Sequence, residues 1–148
     1  MSMAARKPGL TPTGRSPVDV KASLGLIVLS GDYLRVHFAL MTAAAAAAID
    51  RRVVFFVTMD AIPLLVGCEG WRQLDGASRD DDMKARGVAD IETLLDACRA
   101  LDVSFIVCES GLRATGWDAD SLRDDTDIEV AGLVTLIHAI DHGEMVSF

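Results

Sequence analysis

LGLIVLSGDYLRVHFALMTAAAAAAIDRRVVFFVTM (residues 24–59) changes its hydrophobic pattern twice. Leu24 to Gly31 is a continuous apolar run closed by small residues, which suits a strand covered on both faces, as in a parallel sheet. From Asp32 to Asp50 the composition shifts to strong helix formers. Six consecutive alanines, Ala43 to Ala48, flanked by Leu40, Met41 and Ile49, read as the close-packing face of a helix rather than as low complexity. Arg52 to Met59 is a second strand, apolar on both faces and rich in Val and Phe, and Asp60 closes it. Strand, helix and strand in this order predict a right-handed crossover between parallel strands.

Beyond Asp60 comes a short apolar turn, AIPLLV, and then GCEGWRQLDGASRDDDMKARG, residues 67–87, which carries glycines and charges but no sustained period. It is expected to be a long mobile loop over a site or an interface, with RDDD, Arg79 to Asp82, as a solvated part of it. Trp71 in this loop and Trp117 further on are expected to line a cleft or a subunit contact. Ile91, Leu94, Leu95, Cys98 and Leu101 then mark one helical stripe. Val103 to Cys108 is a third strand, Thr126 to Gly132 a fourth, Leu133 to Ile140 a closing helix, and MVSF at residues 145–148 a last edge strand. Strands alternating with helices predict the α/β class: a flavodoxin-like or Rossmann-like three-layer fold with a central, mainly parallel sheet of about five strands.

Residues 1–20, rich in Pro, Gly, Ser, Thr and basic side chains, are expected to be a flexible tail ahead of a single domain spanning residues 21–148. A formal charge of −8 and a pI near 4.7 set the chain against the phosphate backbone, so nucleic acid is not an expected partner. No apolar run is long enough to cross a bilayer, and the first residues lack the apolar stretch of a secretory signal. A cytoplasmic location, with no membrane partner, is the expectation. There, three irregularly spaced cysteines are thiols rather than a disulfide framework.

Active groups in such sheets collect at the carboxyl ends of strands, and that rule separates the three cysteines. Cys98 lies in a helix stripe and reads as packing. Cys68, in the glycine-rich loop, is a possible accessory thiol. Cys108 ends a strand and is followed by Glu109, Ser110 and Gly111, residues that open a helix, so unpaired amide N–H groups meet its sulfur and favour the thiolate. Glu109 works against this, and Arg113, four residues on, can offset it. Ser30, Gly31 and Asp60 belong to the same edge of the sheet and are candidate pocket residues with Glu109, Ser110 and Arg113, although turn and capping roles are the commoner explanation of the first three. His138 and His142 share one side of the last helix, but two ligands do not make a metal site, and neither a metal nor a cofactor is expected.

CESGLRATGWDADSLRDDTDIEVAGLVTLIHAI, from Cys108, resembles the DsrE/DsrF-like family of small sulfur-relay proteins, in which a cysteine follows a strand and opens a CxxxLRxxG or CxxSMxxxG segment. Cys108, Leu112, Arg113 and Gly116 occupy the first pattern, and the likeness runs over roughly residues 22–140. The stretches before and after the loop are most similar to peroxiredoxin-like DsrE members. The resemblance implies a flavodoxin-like fold, a homo-oligomer (trimer or hexamer), and a thiol that accepts sulfur as a persulfide and passes it between donor and acceptor proteins. Only Cys108 matches the sulfur-carrying position. Two functions stay open: a sulfur carrier or sulfurtransferase using Cys108, and a non-catalytic oligomeric module for ligand binding or protein interaction in which Cys108 is structural. A nucleotide site is disfavoured, because SGD after the first strand has a single glycine.

Overall fold

A computed structural model describes residues 21–148. The expected tail at residues 1–20 lies outside the described residues. The elements run β1 (Leu24–Val28), α1 (Tyr33–Ala48), β2 (Val53–Val57), a 3-10 helix (Met59–Leu65), a second one (Gly70–Gln73), α2 (Arg79–Ala85), α3 (Ile91–Ala100), β3 (Ser104–Cys108), α4 (Glu109–Thr115), β4 (Ile128–Ala131), α5 (Leu133–Ile140) and β5 (Glu144–Ser147). All five strands are parallel, in the order β4-β3-β2-β1-β5. The α/β class and the five-stranded parallel sheet are as expected, and MVSF supplies most of β5, which pairs with β1.

Strand order dictates which face each helix covers. The steps from β1 to β4 all go the same way across the sheet, so right-handed crossovers place their helices on one face. The step from β4 to β5 returns to the opposite edge, and α5 therefore crosses the other face. The core divides accordingly. Leu26, Val28, Phe55, Val57, Phe105 and Val107 pack with α1, α3 and Leu112 of α4, whereas Val54, Phe56, Ile106 and Cys108 pack with Leu136 and Ile140 of α5. Every residue of β2 is buried, and each of its Val and Phe side chains contributes about 1.5–3 kcal/mol.

Local signals set the helix limits. Asp32 and Asp90 cap α1 and α3, accepting the amides of Arg35 at 3.1 Å and Thr93 at 2.9 Å. Gly116, at φ +77°, terminates α4 in the left-handed conformation. In the alanine run, Ala43, Ala46 and Ala47 are the buried members, spaced as one helical face. α1 packs on α3 so closely that the Cys98 thiol lies 3.8 Å from the Leu40 carbonyl.

Residues 67–87 depart from the expected loop. They hold the second 3-10 helix and α2; Trp71 and Asp80 turn inward, while Arg79, Asp81 and Asp82 are exposed as expected. Asp80, 6% exposed, accepts from the Tyr33 hydroxyl at 2.7 Å and the Ile91 amide at 2.9 Å. A capped pair of donors explains the buried carboxylate. Trp71 is buried rather than lining a cleft, and its indole N–H donates to Glu92 at 2.9 Å. Glu92 also takes Arg123 at 2.8 Å, and Arg123 in turn holds Asp125 at 2.7 Å. This chain of charge-assisted bonds fixes the segment leading into β4 against α3.

Candidate functional site

β3 ends at Cys108 and α4 begins at the next residue, so Cys108 takes the N-cap position, with φ −68° and ψ 121°. Its Sγ accepts the Gly111 N–H at 3.4 Å, the bond a serine or aspartate oxygen makes at other helix starts. Gly111 is required by a close approach. A Cβ there would stand 2.5 Å from Thr58 Oγ1 and 2.9 Å from the Met59 nitrogen, so only glycine lets the first turn of α4 press on the end of β2. Glu109 and Arg113 form the anticipated ion pair at 3.2 Å, one turn apart and both exposed.

Cys108 is 6% exposed and borders a cavity of about 520 Å3 on the α5 side of the sheet. Its apolar walls are Ile27, Phe56, Met59, Leu133 and Val134. Cys108, Thr58, Ser110, Gly132 and Thr135 complete the lining, the Thr58 hydroxyl itself being fully buried, and among the described residues no charged side chain lines it. Leu133 and Val134 form an exposed rim, Val134 being 72% exposed.

Thr58 was not anticipated. Val57 pairs with Val107, so the next position on β2 lies beside Cys108, and alternation along the strand from Phe56 puts both on the α5 face. Thr58 holds the N-cap position of the first 3-10 helix, where a threonine hydroxyl ordinarily accepts an amide, yet it makes no capping bond. Its Oγ1 is buried without any hydrogen-bond partner. A threonine closing the run VVFFV just ahead of a helix was the available signal.

The other anticipated residues do not join this cavity, with the exception of Ser110. Ser30, Gly31 and Asp60 line a separate cleft of about 710 Å3 with Asp32, Asp75 and Trp117. Gly31 and Asp60 do meet: a Cβ on Gly31 would fall 3.1 Å from Asp60 Cβ. Ser30 Oγ accepts the Asp32 amide at 3.1 Å, a turn role. Glu109 and Arg113 border a third recess with Trp117 and Val130. Met59, at φ +48°, is the residue common to the thiol cavity and the acidic cleft. Cys68 is exposed and borders neither. Cys98 is buried in the larger core, where burial pushes its thiol up to about 12. No group of three or more metal-ligating side chains comes together among the described residues.

With a cysteine at the carboxyl end of a parallel strand and this strand order, the chain belongs to the DsrE/DsrF-like family, whose model matches residues 23–148. That family is associated with sulfur relay. Among solved structures, the chain is similar to the ychN protein from E. coli, with a TM-score of 0.58 and 20% identity over 85% of this chain and 99% of that one. It is also similar to MTH1491, a protein of unknown function from Methanobacterium thermoautotrophicum, with a TM-score of 0.54 and 15% identity over 86% of this chain and 100% of that one. At these identities the likeness is one of fold. No curated protein matches the chain. No helix among the described residues is long and apolar enough to cross a membrane.

Proposed function

We propose that this protein is a sulfur carrier that holds sulfane sulfur as a persulfide on Cys108. The observation that carries the reading is the position of that thiol: at the carboxyl end of β3, with the Gly111 N–H on its sulfur and a cavity in front of it. A Cys108 thiolate attacks the outer sulfur of a donor persulfide, the donor's S–S bond breaks, and the donor leaves as a thiolate. An acceptor thiol later attacks the outer sulfur of Cys108–S–SH and recovers Cys108 as thiolate. Donor and acceptor proteins are the partners this requires. Incubation with a persulfide donor followed by intact-mass measurement should add one sulfur to the protein and none to Cys108→Ser. No added sulfur on the wild type, or equal addition to Cys108→Ser, overturns the reading.

The burial of Cys108 within the α5-side core favours a second reading, a non-catalytic module in which the thiol is packing. The two differ in reactivity. Alkylation of Cys108 in the native protein near neutral pH belongs to the carrier, and a silent Cys108 belongs to the packing role.

The exposed apolar side chains Leu133, Val134 and Ile137 along α5 support a homo-oligomer that covers this face.

A further inference from the structure

We propose that the outer face of α1 is a second contact between copies of this chain, in which two α1 helices pack antiparallel across a two-fold axis beside Met41 and Thr42. The contact is independent of the carrier reading and lies on the side of the sheet opposite α5. The inner face of α1 packs on the sheet and on α3 through Val36, Leu40, Ala43 and Ala47. The outer face repeats Leu34, Phe38, Met41, Ala45 and Ile49, all exposed, Phe38 at 57% and Ile49 at 56%. Between Arg35 and Asp50 the chain carries no aspartate, glutamate, lysine or arginine. A surface helix is ordinarily polar on its outer side, and one that is apolar all round is ordinarily covered on both sides. Its neighbour α3 follows the ordinary pattern, with Glu92, Asp96 and Arg99 away from its buried stripe.

Size and charge both name a second copy as the occupant. The bulky members of the face, Leu34 and Phe38, stand in the first half of the helix, and the small ones, Ala45 and Ala48, in the second. Antiparallel pairing sets the bulky half of each helix against the alanines of the other. There the small side chains let the backbones approach, and Phe38 of one copy enters the other's apolar recess of about 550 Å3, lined by Met41, Ala45 and Ile49. Parallel pairing would stack Phe38 on Phe38 and leave alanine facing alanine across a gap. Arg35 lies in the first turn of α1 and Asp50 just past the last, so each charge opposes the dipole of its own helix. In the antiparallel pair each is placed correctly for its neighbour: Arg35 reaches the other copy's last carbonyls and its Asp50, twice by symmetry.

The test is made on the full chain carrying Val134→Asp, which charges the α5 face and isolates the α1 contact. Sedimentation velocity at micromolar concentration should give a dimer, and adding Phe38→Asp, at a side chain outside the core, should give a monomer. Adding Arg35→Asp instead should raise the dissociation constant roughly tenfold, because two ion pairs become two repulsions, and Asp50→Arg on top of it should restore the dimer. A Val134→Asp protein that is already monomeric, or a mass indifferent to Phe38→Asp, overturns the inference. So does an Arg35→Asp dimer as tight as its parent, or an Asp50→Arg exchange that fails to restore what Arg35→Asp loses. Loading of Cys108, read separately by intact mass, decides the carrier reading whichever of these is found.

Discussion

Cys98 and Cys108 share an element type of environment, a buried thiol near a helix, yet only one has an opening in front of it. Cys98 sits between α1 and α3 with its pKa raised from 9.0 to about 12 by burial. Tyr33 is raised from 10.0 as well, by burial and by donating its hydroxyl to Asp80. Both groups keep their protons in the folded state over a range where the unfolded chain loses them. Stability from this source is full below pH 9 and is lost as pH rises from 9 toward 12. Thermal melts over that range should show a falling Tm, and Cys98→Ala should reduce the slope. At neutral pH Cys98 should resist alkylation until the protein unfolds. A Tm unchanged between pH 8 and pH 11 would contradict the assignment. Cys108 was legible as the candidate thiol because a strand end followed by helix-opening residues is a local pattern. Thr58 was legible only as a capping threonine after VVFFV, since the missing hydrogen bond on its hydroxyl is a property of the surroundings.

At the scale of elements, the contact between the end of β2 and the first turn of α4 holds the site together. Gly111→Ala places a methyl against Thr58 Oγ1 and the Met59 nitrogen, and backbone cannot yield as a flexible side chain can. The substitution should cost about 1–3 kcal/mol, measured by denaturant unfolding, and should slow sulfur loading on Cys108 by moving the Gly111 N–H off its sulfur. A variant of unchanged stability would refute the tight contact. The main strands and the helices α1, α3 and α5 were readable because each is long enough, or apolar enough, to show its period. The segment at residues 67–87 was misread for the opposite reason. A 3-10 helix of four residues and an α-helix of seven are too short to repeat a hydrophobic stripe. Asp80 also looked like one more solvated charge among three aspartates, although its two donors, Tyr33 and Ile91, come from distant parts of the chain.

For the whole molecule, the strand order β4-β3-β2-β1-β5 leaves the two faces unequally covered. Several helices cover one face and α5 alone crosses the other, with Leu133, Val134 and Ile137 turned outward. The doubly apolar strands announced two covered faces without telling which would be covered thinly, so the expected three layers carried no hint of where copies would meet. Light scattering should report a species larger than one chain, and Val134→Asp should shift it toward the monomer by placing a charge at the most exposed apolar position of α5. A wild-type monomer at micromolar concentration would refute the oligomer.

That single crossing helix also sets the order in which the thiol site is made. α5 and β5 are the last two elements along the chain, and β5 closes onto β1, the first strand. During synthesis Cys108 leaves the ribosome before Leu133 and Val134, so the thiol exists for a time without the walls that enclose it. The sulfur of the nascent chain is then open to solvent and oxidants, and it is covered only when the final crossover has folded into place.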